Sequence, residues 1–266
     1  MKKILLSLAL LVATTLSAEI IHKTIPYEHD GVKFLGYLVY DDEKIKDGPR
    51  PGVVVVHEWW GRDDFADKQT HKFALEGYIA FAVDMYGEGK TTRDAKEARE
   101  LSGKIYGGDL MERRARAGLD ALLAIGMVDT KKIAAVGYCF GGAVAQVLAY
   151  GGAPLTGVVS VHGGLIPATA EDAKLNHASF LICHGGADTL IPKEELDLFV
   201  RSLEDHAIDY QLIVYQGAKH AFSNPAADEF ATAAKLTGVG YQRRAAERSW
   251  RHTNQFLKEV FKLRRP

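Results

Sequence analysis

The residue whose neighbours best suit it for chemistry is Cys139, in the stretch Val136-Gly137-Tyr138-Cys139-Phe140-Gly141-Gly142. An apolar run at 133–136 precedes it and an Ala/Val/Leu-rich helical segment at 143–150 follows. The pattern G-x-C-x-G-G therefore falls on a strand, a sharp turn and a helix, as in a nucleophile elbow with Cys in place of the commoner Ser. Such a turn strains the central residue, and its neighbours two positions away must be nearly free of side chain, as Gly137 and Gly141 are. The geometry lifts the sulfur above the sheet and aims the Phe140 amide at the place where an oxyanion would form. A glycine-rich turn around a structural cysteine would give the same local pattern, since a free cysteine is often a small core residue.

An elbow hydrolase needs nucleophile, acid and histidine in that chain order, and Cys139, Asp188 and His220 supply it. Asp188 ends His184-Gly185-Gly186-Ala187-Asp188, just past an apolar strand, where its carboxylate can orient an imidazole. His220 follows Gln216-Gly217-Ala218-Lys219 after the last strand, in a loop able to reach Cys139. A cap on the segment opened by Pro192 would also account for Asp188, and a plain loop position for His220. Earlier in the chain, His57-Glu58-Trp59-Trp60-Gly61 ends a buried strand. The Trp59 amide there is the expected second oxyanion donor. Trp59 and Trp60 either wall an apolar pocket or simply pack the core. Glu58 is unusual, because a carboxylate beside a thiol disfavours the thiolate. His57, His162 and His184 also fall near strand ends, yet no spacing resembles a metal-binding motif, so no metal is expected.

The elements that must hold these residues follow from hydrophobic period and turn chemistry. Residues 20–27 and 32–40 alternate around His29-Asp30-Gly31, which predicts a β-hairpin. Apolar runs at 53–56, 78–83, 133–136, 155–161 and 180–183 predict strands buried on both faces, and 210–215 a further strand. Helices are expected from Asp63/Asp64 to Leu75, twice within 92–125 with a break at Gly107-Gly108, over 192–206, and over 241–263. Segments 166–177 and 223–240 are read as loops, the second partly covering the site. An antiparallel start followed by alternating strands and helices predicts one α/β domain: a mostly parallel sheet of about eight strands with helices on both faces. Ligands in such sheets bind beyond the carboxyl ends of the strands, where Glu58, Asp84, Cys139, His162, Asp188 and His220 stand.

The 33 Lys+Arg and 34 Asp+Glu nearly balance at a formal net charge of −1, which removes the electrostatic case for nucleic acid as a partner. Hydrophobic residues at 47% of 266 suit a folded domain with a substantial core, and a monomer is expected. Met1-Lys2-Lys3, an apolar stretch at 4–12 and the small residues Thr14, Thr15, Ser17 and Ala18 predict a cleaved secretory signal over 1–18, with no stable membrane anchor afterwards. The mature domain is then 19–266, periplasmic or secreted. Of the two cysteines, Cys183 is expected in the core, and both thiols are expected free. A redox protein would need Cys183 as the resolving thiol. A binding protein on the same fold, with little turnover, is the alternative to an enzyme.

Together, Gly137-Tyr138-Cys139-Phe140-Gly141-Gly142, His57-Glu58-Trp59-Trp60-Gly61, His184-Gly185-Gly186-Ala187-Asp188 and Lys219-His220-Ala221-Phe222 resemble the dienelactone hydrolase family, as does Arg248-Ser249-Trp250. The resemblance covers nearly the whole chain after residue 18. It implies an α/β-hydrolase fold without a large lid domain, no cofactor, and hydrolysis of a small ester or lactone through a thioester on Cys139, as in carboxymethylenebutenolidases. It also implies that Glu58 restrains the resting thiol and takes its proton when substrate binds, and that Trp60, Tyr138, Phe222 and Asn224 line the substrate pocket. Asn224 stands where the family has an arginine that grips the substrate carboxylate; Arg93 and Arg99 are candidates for the family's other arginine. Loss of that bidentate partner shifts the expected substrate towards neutral esters.

Overall fold

The structure, a computed structural model, describes residues 19–262, so the predicted signal at 1–18 lies outside the described residues. Strands β1 (Ile20–His29) and β2 (Val32–Asp41) form the antiparallel hairpin, turning at Asp30 and Gly31 with φ of 50° and 72°. These positive angles are what an Asp-Gly turn tolerates. Then come β3 (Arg50–Val56), α1 (Asp64–Leu75), β4 (Ile79–Val83), α2 (Ala95–Gly103), α3 (Asp109–Ala124), β5 (Val128–Tyr138) and α4 (Phe140–Tyr150). The chain continues through β6 (Gly157–Val161), α5 (Ala170–Leu175), β7 (Ser179–Gly185), α6 (Lys193–Asp205), β8 (Tyr210–Tyr215), α7 (Ala227–Ala234) and α8 (Arg243–Val260). The sheet order is β1-β2-β4-β3-β5-β6-β7-β8, antiparallel at the β1–β2 and β2–β4 pairs and parallel elsewhere.

Two cores sandwich this sheet. Alternate residues of β3 serve them, Val54 and Val56 one and Val53 and Val55 the other, which is why the strand reads as an unbroken apolar run. Each such valine contributes about 1.5–3 kcal/mol by leaving water. Helices α3, α4 and α6 close one core through Leu119, Leu122, Val144, Leu148 and Phe199. Helices α1 and α8 close the other, α8 through Ala245, Phe256, Leu257 and Val260 on one helical face. Asp63 starts α1 by accepting the Phe65 and Ala66 amides at 3.1 and 3.3 Å.

Two segments read as loops contain short helices. At α5 the signal is a capping box: the Thr169 hydroxyl accepts the Asp172 amide at 3.2 Å while Asp172 accepts the Thr169 amide at 2.8 Å. The six residues of α5 bury none of their own number, so no apolar period announced the helix. At α7 the Ala-rich composition masks the period, and the helix ends at Lys235 in a left-handed conformation. Helix α4 starts at Phe140, immediately after Cys139, three residues before the predicted start at 143.

Candidate active site

Cys139 joins β5 to α4 with φ 53° and ψ −117°, a conformation costing about 1–3 kcal/mol for a residue with a side chain. The turn is fixed at several points. The Cys139 amide donates to the Val161 carbonyl at 3.2 Å, and the Cys139 carbonyl accepts the Gly142 and Gly164 amides at 2.9 and 3.2 Å. A Cβ on Gly137 would lie 1.8 Å from the Gly141 carbonyl oxygen, and one on Gly141 would lie 2.3 Å from that of Val56. Both contacts are with backbone, so only glycine lets β3 and α4 approach this closely. The Phe140 amide, at the first position of α4, is among the helix's unpaired donors.

His220 is held over the sulfur by its own main chain, which donates to the Gly238 carbonyl and accepts from the Gly240 amide, each at 3.0 Å. Its Nδ1–H donates to Asp188 Oδ2 at 2.8 Å, and His220 and Cys139 line one cavity. Burial works against a charge on this imidazole. The Cys139 sulfur and the Asp188 carboxylate outweigh it, so His220 holds its proton well above the ordinary histidine range. Asp188 also accepts the Leu190 and Ile191 amides through Oδ1 at 2.9 and 3.2 Å. The turn-capping and imidazole-orienting roles read for this residue are therefore compatible, one for each oxygen.

On the β3 side, His57 positions the loop. Its Nδ1–H donates to the Glu58 carbonyl and its Nε2 accepts the Met85 amide at 3.2 Å, a bonding pattern of a neutral imidazole, and burial pushes its pKa down. Glu58 is only 2% exposed. Its Oε2 accepts the Asn224 side-chain amide at 2.6 Å and its Oε1 meets no partner among the described residues. Burial lifts this carboxyl to about 7, against the lowering effect of the Asn224 hydrogen bond.

Glu58, Trp59, Trp60, Cys139 and His220 meet around a small apolar cavity of about 80 Å³. Its remaining wall comes from Leu190, Ala221, Phe230, Leu236 and Val239. Phe230 on α7 packs on Trp60 with ring centroids 4.9 Å apart, so the 223–240 segment does cover the site. Sequence reasoning anticipated the cover and missed its residues; the signal available was Phe230 and Leu236 as large apolar side chains in an Ala-rich stretch.

The pocket expected from Trp60, Tyr138, Phe222 and Asn224 needs correction, since of these only Trp60 lines the cavity. Tyr138 alternates to the opposite face of β5 from the core under α4, and its hydroxyl donates to Gln69 on α1 at 3.3 Å. Phe222 is fully buried against Tyr215 and His162. Asn224 reaches the site only through Glu58. Of the candidate arginines, Arg93 lies over the Phe230 ring at 4.7 Å and pairs with Asp63 at 3.3 Å, while Arg99 is exposed on α2. Asp84, at the end of β4, is engaged by the Leu35, Tyr86, Gly87 and Gly89 amides and organises its own loop.

Among the described residues no group of three or more His, Cys, Asp or Glu side chains is arranged to hold a metal ion. His162 Nε2 lies 2.7 Å from Ser223 Oγ, and burial together with His220 keeps its pKa well below the ordinary value. His184 is also buried, which lowers its pKa. Cys183 is fully buried, accepts the Tyr215 hydroxyl at 3.4 Å and has its pKa raised to about 12 by burial; Cys139 and Cys183 are both free. No helix among the described residues is long and apolar enough to cross a membrane.

The geometry is matched by comparison with known proteins. The profile of the dienelactone hydrolase family matches residues 34–261. The solved structure of a dienelactone hydrolase-like promiscuous phosphotriesterase from metagenomic libraries superposes with a TM-score of 0.85 at 35% identity, covering 91% of this chain and 99% of that one. Protein usf of Aquifex pyrophilus is 27% identical over 88% of this chain and 97% of its own length. A Saccharolobus solfataricus protein provisionally named carboxymethylenebutenolidase is 25% identical over 90% of this chain and 99% of its own. With the elbow cysteine, the eight-stranded sheet and a family profile running from β2 to the end of α8, this chain belongs to the dienelactone hydrolase family of α/β-hydrolases.

Proposed function

We propose that this hydrolase cleaves small, neutral carboxylic esters or lactones through a thioester on Cys139. The observation that carries the reading is the strained Cys139 at the head of α4, sharing a cavity with an imidazole that is itself tied to Asp188 at 2.8 Å. In the proposed reaction the Cys139 proton passes first to His220 Nε2, whose raised proton affinity favours the transfer, and the resulting thiolate attacks the carbonyl carbon. The carbonyl π pair moves to oxygen, where the Phe140 and Trp59 amides stabilise it. Collapse expels the alkoxide, which takes the proton from His220; in a lactone this alcohol stays tethered to the acyl chain. Water, deprotonated by His220, then attacks the thioester, and the carboxylic acid leaves as the thiol re-forms.

Glu58 and the apolar wall bear on the substrate. With Glu58 raised to about 7 and Asn224 in the arginine position, the cavity offers an anionic substrate no bidentate partner. Arg93, the cation over Phe230, is already engaged by Asp63. The metagenomic relative is described as a promiscuous phosphotriesterase, and a neutral phosphotriester is accordingly a secondary candidate for the same thiol. We further read residues 1–18 as an export signal, so that the mature chain begins at Glu19 outside the cytoplasm.

The test is turnover of a panel of neutral and anionic esters, lactones and phosphotriesters by reduced mature protein, with mass spectrometry of the quenched enzyme. The expected result is an acyl adduct on Cys139 and a preference for neutral substrates. Full activity in Cys139→Ala would overturn the mechanism, and a preference for anionic lactones would overturn the substrate class. Sequencing the N-terminus of exported protein checks the signal.

A further inference from the structure

We propose that the cleft between α1 and α8 is a second small-molecule site, for an amphiphile with an apolar body and a single carboxylate. The cleft measures about 430 Å³, against about 80 Å³ for the cavity at Cys139. That places it within the range of about 300–1,000 Å³ usual for small-ligand pockets. It shares no lining residue with the Cys139 cavity. Its apolar lining comes from Phe65, Tyr138, Val161 and Trp250.

Cations gather on its wall. Lys68, Lys72 and Arg251 line it, and none of the three is in an ion pair among the described residues. Glu247, the acid of the wall, is taken by Arg243 at 2.7 Å. Lys72 Nζ lies 3.8 Å from the Trp250 ring centroid and donates to Gln69 Oε1 at 3.3 Å, so its close partners are polarisable or polar but uncharged. Burial lowers its pKa, a cost that a carboxylate beside it would relieve. An apolar lining with cations on the wall selects a monoanion with a hydrocarbon or aromatic body over a neutral lipid or a fully polar metabolite. The cleft is also in contact with the triad's surroundings. Ser223 lines it and lies 2.7 Å from His162 Nε2, and the His162 ring packs edge-on to His220 with centroids 5.5 Å apart.

The experiment uses the full mature chain carrying Cys139→Ala, so that nothing is turned over, titrated calorimetrically with octanoate and with octan-1-ol. Octanoate should bind saturably at one site at least tenfold more tightly than octan-1-ol. In the added double variant Lys68→Ala/Arg251→Ala, two exposed positions, octanoate should weaken at least tenfold while octan-1-ol is unchanged. Octanoate should also perturb Trp250 fluorescence, and in the unsubstituted protein its affinity should survive alkylation of Cys139. The proposal is overturned by absent saturable binding, by equal affinity for acid and alcohol, by indifference to the double variant, or by loss of binding when Cys139 is alkylated.

Discussion

Glu58→Gln should make the protein more stable at alkaline pH and hardly change it at acid pH. The side chain is 2% exposed, with one oxygen on Asn224 at 2.6 Å and the other unpartnered. Burial raises the carboxyl from 4.5 to about 7, a gap equivalent to about 3 kcal/mol. Between those two values the folded chain binds more protons than the unfolded one, so stability falls as pH rises from 4.5 through 7, and the loss is complete above 7. Glutamine keeps the shape and the oxygen that accepts from Asn224 but carries no charge. Urea unfolding of both proteins at pH 5 and at pH 8 isolates this group, because every other titration cancels in the double difference. The advantage of Glu58→Gln should grow by about 2.5 kcal/mol from pH 5 to pH 8. A difference constant within about 0.5 kcal/mol over that range, near the noise of such measurements, would refute the buried-carboxyl reasoning.

Asp188→Asn should keep the fold, since an asparagine oxygen can still accept the Leu190 and Ile191 amides, yet lower ester turnover by about 10⁴-fold and reduce the proton affinity of His220. Steady-state kinetics and an NMR titration of the imidazole check the two parts. Asn224→Ala removes the donor that opposes burial, so the Glu58 carboxyl should rise above about 7 and the variant should lose about 1–3 kcal/mol at pH 8 and less at pH 5. Gly137→Ala drives a Cβ to 1.8 Å from the Gly141 carbonyl and should cost about 3 kcal/mol by denaturant unfolding.

Strands with continuous apolar runs and the chain order Cys139, Asp188, His220 were legible because each is written locally. A strand buried on both faces must be apolar throughout, and a nucleophile turn must be flanked by glycine. The cavity wall was not legible for the opposite reason. Leu190, Phe230, Leu236 and Val239 converge on Cys139 from two segments far along the chain, one after β7 and one through and beyond α7, and only the tertiary fold brings them together. Tyr138 shows how adjacency in sequence misleads: one residue before Cys139, it points across β5 towards Gln69, because successive strand residues alternate faces. Helix α5 was hidden because it buries none of its own residues and is announced only by Thr169 and Asp172.

The two carboxyl groups beside the thiol and imidazole have opposite surroundings, and that difference assigns their parts. Asp188 receives three hydrogen bonds, from the Leu190 and Ile191 amides and from His220. Glu58 receives one from a described residue, from a neutral amide, and is otherwise enclosed by Trp59, Trp60 and the cavity. An arginine at position 224 would supply charge compensation and hold Glu58 ionised next to the sulfur. The neutral asparagine instead lets burial dominate, and the carboxyl rises to about 7.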